Sequence, residues 1–89
     1  MFEVIWLEEA VNDLAGMWTR ADSAGRRAIT EATNAIDRTL GSNPIGSSES
    51  RTGDQRILFA EPLGAHFKVD RQRRIVRVGH VWQYRGHSR

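Results

Sequence analysis

Apolar residues change their spacing twice along this chain, and the spacings divide it into strands and helices. Phe2, Val4, Ile5 and Trp6 crowd β-branched and aromatic side chains together, which predicts a short strand. Leu7, Val11, Leu14, Ala15 and Trp18 then recur at three- and four-residue intervals, giving an amphipathic helix of about three turns. Glu8 and Glu9 fall at its start, where the helix dipole favours carboxylates. Ile29, Ala32, Ile36 and Leu40 repeat the period in a second helix, which Asp22 or Ser23 would cap and Gly41 and Pro44 would end.

Residues 41–54 hold Gly, Ser, Asn, Pro and Thr around one large apolar residue, Ile45, and predict a long loop. Alternation takes over from Arg56, with strands predicted over 56–60, 65–70 and 74–84. Pro62-Leu63-Gly64 and the polar run Asp70 to Arg73 separate them. The expected architecture is α+β, in the order β-α-α-β-β-β. Two N-terminal helices would pack on one face of a small twisted antiparallel sheet of about four strands. Val4, Trp6, Val11, Leu14 and Trp18 are expected in the core from the first half. Ile29, Ile36, Leu58, Phe67, Val69, Val76 and Val78 complete it.

Alternation also sorts the sheet faces. Ala65, Phe67 and Val69 would face the helices while His66 and Lys68 face away. In the last strand Val76, Val78, His80, Trp82 and Tyr84 fall on the helix side, and Arg77 falls on the other. His66, Lys68 and Arg77, joined by Arg56, are therefore expected to converge on an open, cationic face.

At 89 residues and 10.1 kDa the chain holds one domain, taken as 1–89, and a two-domain enzyme is excluded. The absence of cysteine removes disulfides, thiolate ligands and a cysteine nucleophile. His66, His80 and His87 are too scattered for a zinc triad, so neither a metal nor another cofactor is expected. No apolar run approaches the ~18 residues of a membrane span, and the first residues lack the pattern of a signal peptide. A cytoplasmic protein without membrane attachment is expected.

The net charge of +2 conceals an asymmetry. Eight acids against four Arg leave residues 1–50 at −4, whereas eight Arg and Lys68 against three acids leave residues 51–89 at +6. Twelve of the thirteen cations are Arg, whose planar fork suits phosphate and stacks on bases. A basic partner surface, if present, belongs to the second half.

Several segments resemble the RelE/ParE superfamily of bacterial type II toxin–antitoxin systems. They are Val4-Ile5-Trp6, Glu8-Glu9-Ala10, Asn12-Asp13-Leu14, Ala35-Ile36-Asp37, Arg56-Ile57-Leu58, Phe67-Lys68-Val69-Asp70 and Val76-Arg77-Val78-Gly79-His80-Val81-Trp82. The resemblance covers nearly the whole chain. It implies a small RelE-like toxin neutralised by a cognate antitoxin, in a toxin–antitoxin hetero-oligomer. RelE-like and YoeB-like members cleave messenger RNA on the ribosome, whereas ParE-like members poison DNA gyrase. A catalytically inert nucleic-acid- or protein-binding domain of the same fold is a third reading. The sequence departs from the ribosome-dependent pattern where Gly64 and Val81 stand in place of customary Arg residues.

Cleavage of RNA through its 2′-hydroxyl needs a base near that hydroxyl, cations on the scissile phosphate and an acid for the leaving 5′-oxygen. A metal-independent endoribonuclease, an mRNA interferase, would draw its catalytic groups from His66, Lys68, Arg77 and His80. Arg51, Arg56, Arg74 and Arg85 would contact RNA phosphates, with Trp82 or Tyr84 as a stacking platform.

Overall fold

A computed structural model of the chain describes residues 1–51 and 53–84. β1 (Glu3–Trp6) leads into α1 (Glu8–Arg20) and α2 (Ser23–Ser42). β2 (Glu49–Ser50), β3 (Gln55–Ala60), β4 (Leu63–Asp70) and β5 (Ile75–Gln83) follow. The sheet order is β1-β5-β4-β3-β2. The α+β architecture with two helices against one sheet agrees with the alternation and periodicity of the sequence.

The sheet is mixed, not purely antiparallel, and has five strands. β1 pairs parallel with β5, Val4 opposite Val76 and Trp6 opposite Val78, while the remaining pairs are antiparallel. Side-chain alternation has the same period in both arrangements, so it carries no information on strand direction. The additional strand, β2, consists of Glu49 and Ser50, which have no apolar residue to mark them.

Helix α2 is capped as its sequence suggests: Asp22 Oδ1 accepts from the Gly25 amide at 2.8 Å. Ile29, Ala32, Ile36 and Leu40 are its buried stripe. They meet Leu58, Leu63, Ala65, Phe67, Val76 and Val78 in one core, to which α1 contributes Ala10 and Met17. Val4, Trp6 and Leu14 are partly buried against it. Val11 and Trp18, expected inside, are instead 49% and 42% exposed, because α1 turns them toward the outer groove between the helices. There Arg26 lies over the Trp18 ring at 5.4 Å and its Nε donates to the Trp18 carbonyl at 2.9 Å.

A break in β5 overturns the expected sorting of its second half. Phe67 pairs with Val78 and His66 with His80, so Gly79 has no partner on β4. The extra residue reverses the alternation beyond it. Val81 is buried with Val76 and Val78, while His80 is turned to the open face with Arg77 and Trp82.

Candidate functional site

On the face turned away from the helices, register arranges side chains from β3, β4 and β5 in rows. Gln55, Lys68 and Arg77 form one row, Ile57, His66 and His80 the next, and Phe59, Gly64 and Trp82 a third. Successive rows along one strand are about 6.7 Å apart. His66, Lys68, Arg77 and His80 border one cleft of about 390 Å³, whose wall is completed by Leu7, Glu9, Phe67 and Gly79. The four residues nominated for catalysis thus share one cavity. Reversal of the β5 alternation places His80 there.

The two histidines have different partners. His66 Nε2 lies 2.9 Å from Gln55 Oε1. A neutral His66 that donates from Nε2 to this amide oxygen keeps its lone pair on Nδ1. His80 is more open and faces α1, its Nδ1 3.5 Å from Asp13 Oδ2 and its Nε2 3.7 Å from Glu9 Oε1. Glu9 and Asp13 are four residues apart and so share one side of α1. Their acidic role at the site carried no signal in the sequence beyond the helix-dipole preference for Glu9.

Asp13 also completes the sheet edge. β1 ends at Trp6, leaving the rest of the β5 edge without a neighbouring strand among the described residues. Leu7 N–H donates to the Val78 carbonyl at 2.9 Å, and Val81 N–H donates to Asp13 Oδ2 at 3.0 Å. Helix α1 is thereby tied to the strand that presents His80.

Arg56 does not reach the open face. It pairs with Phe67 across β3 and β4, on the helix side, and donates to Ser48 Oγ at 2.6 Å, the Ile45 carbonyl at 3.0 Å and the Ser48 carbonyl at 3.1 Å. Its guanidinium fastens the loop after α2. The expectation of an open-face position failed because Arg56 is two residues from the buried Leu58 and so shares its face of β3. Arg51, beyond β2 at the far edge, is paired with Glu49 at 3.4 Å. Arg74 lies in the exposed turn before β5 with a left-handed backbone, φ 58°. Arg85 lies outside the described residues.

In the same turn, the Arg73 amide donates to Asp70 Oδ1 at 3.1 Å, and this hydrogen bond holds the Asp70 carboxyl below its ordinary range. The Arg73 guanidinium adds a charged contact at 3.3 Å. Asp70, Arg71 and Gln72 adjoin Lys68 and Arg77 in a second, shallower depression. The basic end of the open face therefore continues into the turn.

No protein-family model matches this sequence, and no curated protein matches it either. Solved structures do match it. The RelBE2 toxin–antitoxin complex from Mycobacterium tuberculosis is 13% identical over 92% of this chain and 90% of that chain, with a TM-score of 0.74. A chromosomal ParDE toxin–antitoxin system from P. aeruginosa is 16% identical over 96% and 98%, with a TM-score of 0.76. The isolated E. coli RelE toxin is 16% identical over 98% and 88%, with a TM-score of 0.65. The chain has the fold that these RelE and ParE structures share. No helix among the described residues is long and apolar enough to cross a membrane.

Proposed function

We propose that this chain is the toxin of a bacterial type II toxin–antitoxin pair and that it cleaves messenger RNA on the ribosome without a metal. The observation that carries the reading is the common cleft of His66, Lys68, Arg77 and His80. The fold shared with RelE and ParE structures supports the toxin class.

In this reaction the 2′-oxygen bonds to phosphorus as the bond from phosphorus to the 5′-oxygen breaks, leaving a 2′,3′-cyclic phosphate and a 5′-hydroxyl. His66, whose Nε2 faces Gln55 Oε1, takes the 2′-hydroxyl proton through Nδ1 in its neutral form. Lys68 and Arg77, adjacent across β4 and β5, hold the phosphate and offset its growing negative charge. His80, in its protonated form, supplies the proton for the 5′-oxygen. Arg74 and Arg51 extend phosphate contact beyond the cleft, and Trp82 and Tyr84 offer aromatic surface beside it. The antitoxin would cover the basic second half with an acidic, amphipathic segment.

Primer extension on messenger RNA from cells expressing the chain, run beside a supercoiling assay with purified DNA gyrase, tests this reading. Discrete cuts that require ribosomes, with normal supercoiling, are expected. Intact transcripts together with gyrase-linked DNA breaks would replace it with the ParE-like reading. Intact transcripts with normal supercoiling would leave the inert binding domain.

A further inference from the structure

We propose that Phe59, Trp82 and Tyr84, seated on Gly64, form a nucleobase-stacking subsite for single-stranded RNA at the end of the open face opposite the turn. The inference rests on the reading of this face as an RNA-cleaving surface and adds the base-binding element to it.

The subsite is built by close approach to backbone. A Cβ on Gly64 would lie 2.6 Å from two atoms of the Trp82 indole and 2.9 Å from a third. The ring therefore rests against the bare backbone of β4. It also explains why Gly64 is buried although it belongs to the open face. Phe59 packs edge-on against both neighbours, 6.2 Å from Trp82 at 85° and 5.3 Å from Tyr84 at 76°. That arrangement packs the three rings together and still leaves Phe59 43% exposed.

Charge selects the occupant. The aromatic row and the row of Lys68 and Arg77 are four residues apart on β4, about 13 Å along the strand, with His66 between them. Cations that track a backbone beside aromatic rings that stack bases are the combination single-stranded nucleic acid requires, and stacking tolerates any base. Phe59 is the exposed member, whereas Trp82 has one side committed to Gly64. Stacking thus falls chiefly to Phe59, and Gly64 is a positioning residue.

The test uses the purified full chain and a 2′-O-methyl heptanucleotide, which cannot be cut, beside an abasic oligomer of the same length that keeps the phosphates. Intrinsic tryptophan fluorescence reads binding, and thermal unfolding checks each variant. Preference for the base-bearing oligomer by about 5-fold or more is expected, the size of one base–aromatic contact. Phe59→Leu, which keeps apolar bulk, should abolish most of that preference, and Gly64→Ala should weaken it by displacing the indole. Trp82→Phe should remove the quench.

Equal affinity for the two oligomers, or a Phe59→Leu protein that retains the preference, overturns the inference. A concentration-dependent dimer that Phe59→Ser dissolves would also overturn it, by assigning the patch to a second copy of the chain. Base-selective binding without ribosome-dependent cuts would instead refute cleavage alone, and cuts without base preference would refute the subsite alone.

Discussion

The Val81 amide donates to Asp13 Oδ2 at 3.0 Å, joining residues 68 positions apart, and the same oxygen stands 3.5 Å from His80 Nδ1. One carboxylate therefore satisfies a sheet edge and faces an imidazole of the cleft. Asp13→Ala leaves the Val81 amide without its acceptor and should destabilise the chain by about 1–2 kcal/mol. For a domain of this size that is a fall of roughly 4–16 °C in Tm. Asp13→Asn keeps an acceptor oxygen and should recover most of the loss in a thermal melt.

Lys68→Ala and Arg77→Ala should each slow ribosome-dependent cleavage by roughly 10- to 1000-fold, the effect of removing a charge-stabilising group. Both side chains are exposed, so unfolding free energies should stay within about 0.5 kcal/mol of the parent. Urea titration beside the cleavage assay separates the two effects. A variant that loses activity and stability together would place the residue in the scaffold.

Arg56 gives the opposite expectation. Its three hydrogen bonds to Ser48 and Ile45 anchor the loop after α2, so Arg56→Ala should cost about 2 kcal/mol and open residues 43–50 to protease. Arg56→Lys retains the charge without the guanidinium fork and should rescue little. Full stability of the lysine variant would show that charge alone matters.

Asp70 predicts a pH dependence. Its carboxyl is lowered in the fold by the Arg73 amide, so its contribution is complete above the unfolded-state value of about 3.9. As pH falls through the lower folded value the carboxylate takes up its proton and the contribution is lost. Melting curves between pH 2 and pH 6 should therefore show a shallower acid decline for Asp70→Asn than for the parent. Identical slopes would remove Asp70 from the acid response.

Core packing sets the final expectation. Phe67 is fully buried at the centre of the sheet, between Arg56 and Val78 in register. Phe67→Ala should cost about 3–5 kcal/mol, a large share of the total for a small domain, and leave little folded protein at 37 °C. Circular dichroism of the purified variant checks this.

Helices were legible in this sequence because Ile29, Ala32, Ile36 and Leu40 keep one period through an uninterrupted element with a capping Asp22. Most of the cleft was legible too, since His66 and Lys68 alternate with buried neighbours on a regular strand. What escaped depends on relations that a linear pattern does not encode. Gly79 adds one residue to β5 and reverses every later side chain, so His80 and Val81 exchange their expected faces. Glu9 lines the cleft and Asp13 meets His80 and the Val81 amide only because α1 runs beside the part of β5 that β1 leaves uncovered. Arg56 has the composition of a phosphate ligand and the geometry of a loop clamp.

The parallel pairing of β1 with β5 has a consequence for how the chain matures during synthesis. Ile75, the partner of Glu3, is made 72 residues after it. At bacterial or eukaryotic elongation rates of about 5–20 residues per second, β1 waits several seconds for the strand that completes its edge. The nascent chain can assemble its helices during that interval. The floor and walls of the cleft, which need β5, close only when Ile75–Gln83 have left the exit tunnel. A chain without β5 therefore lacks the cleft.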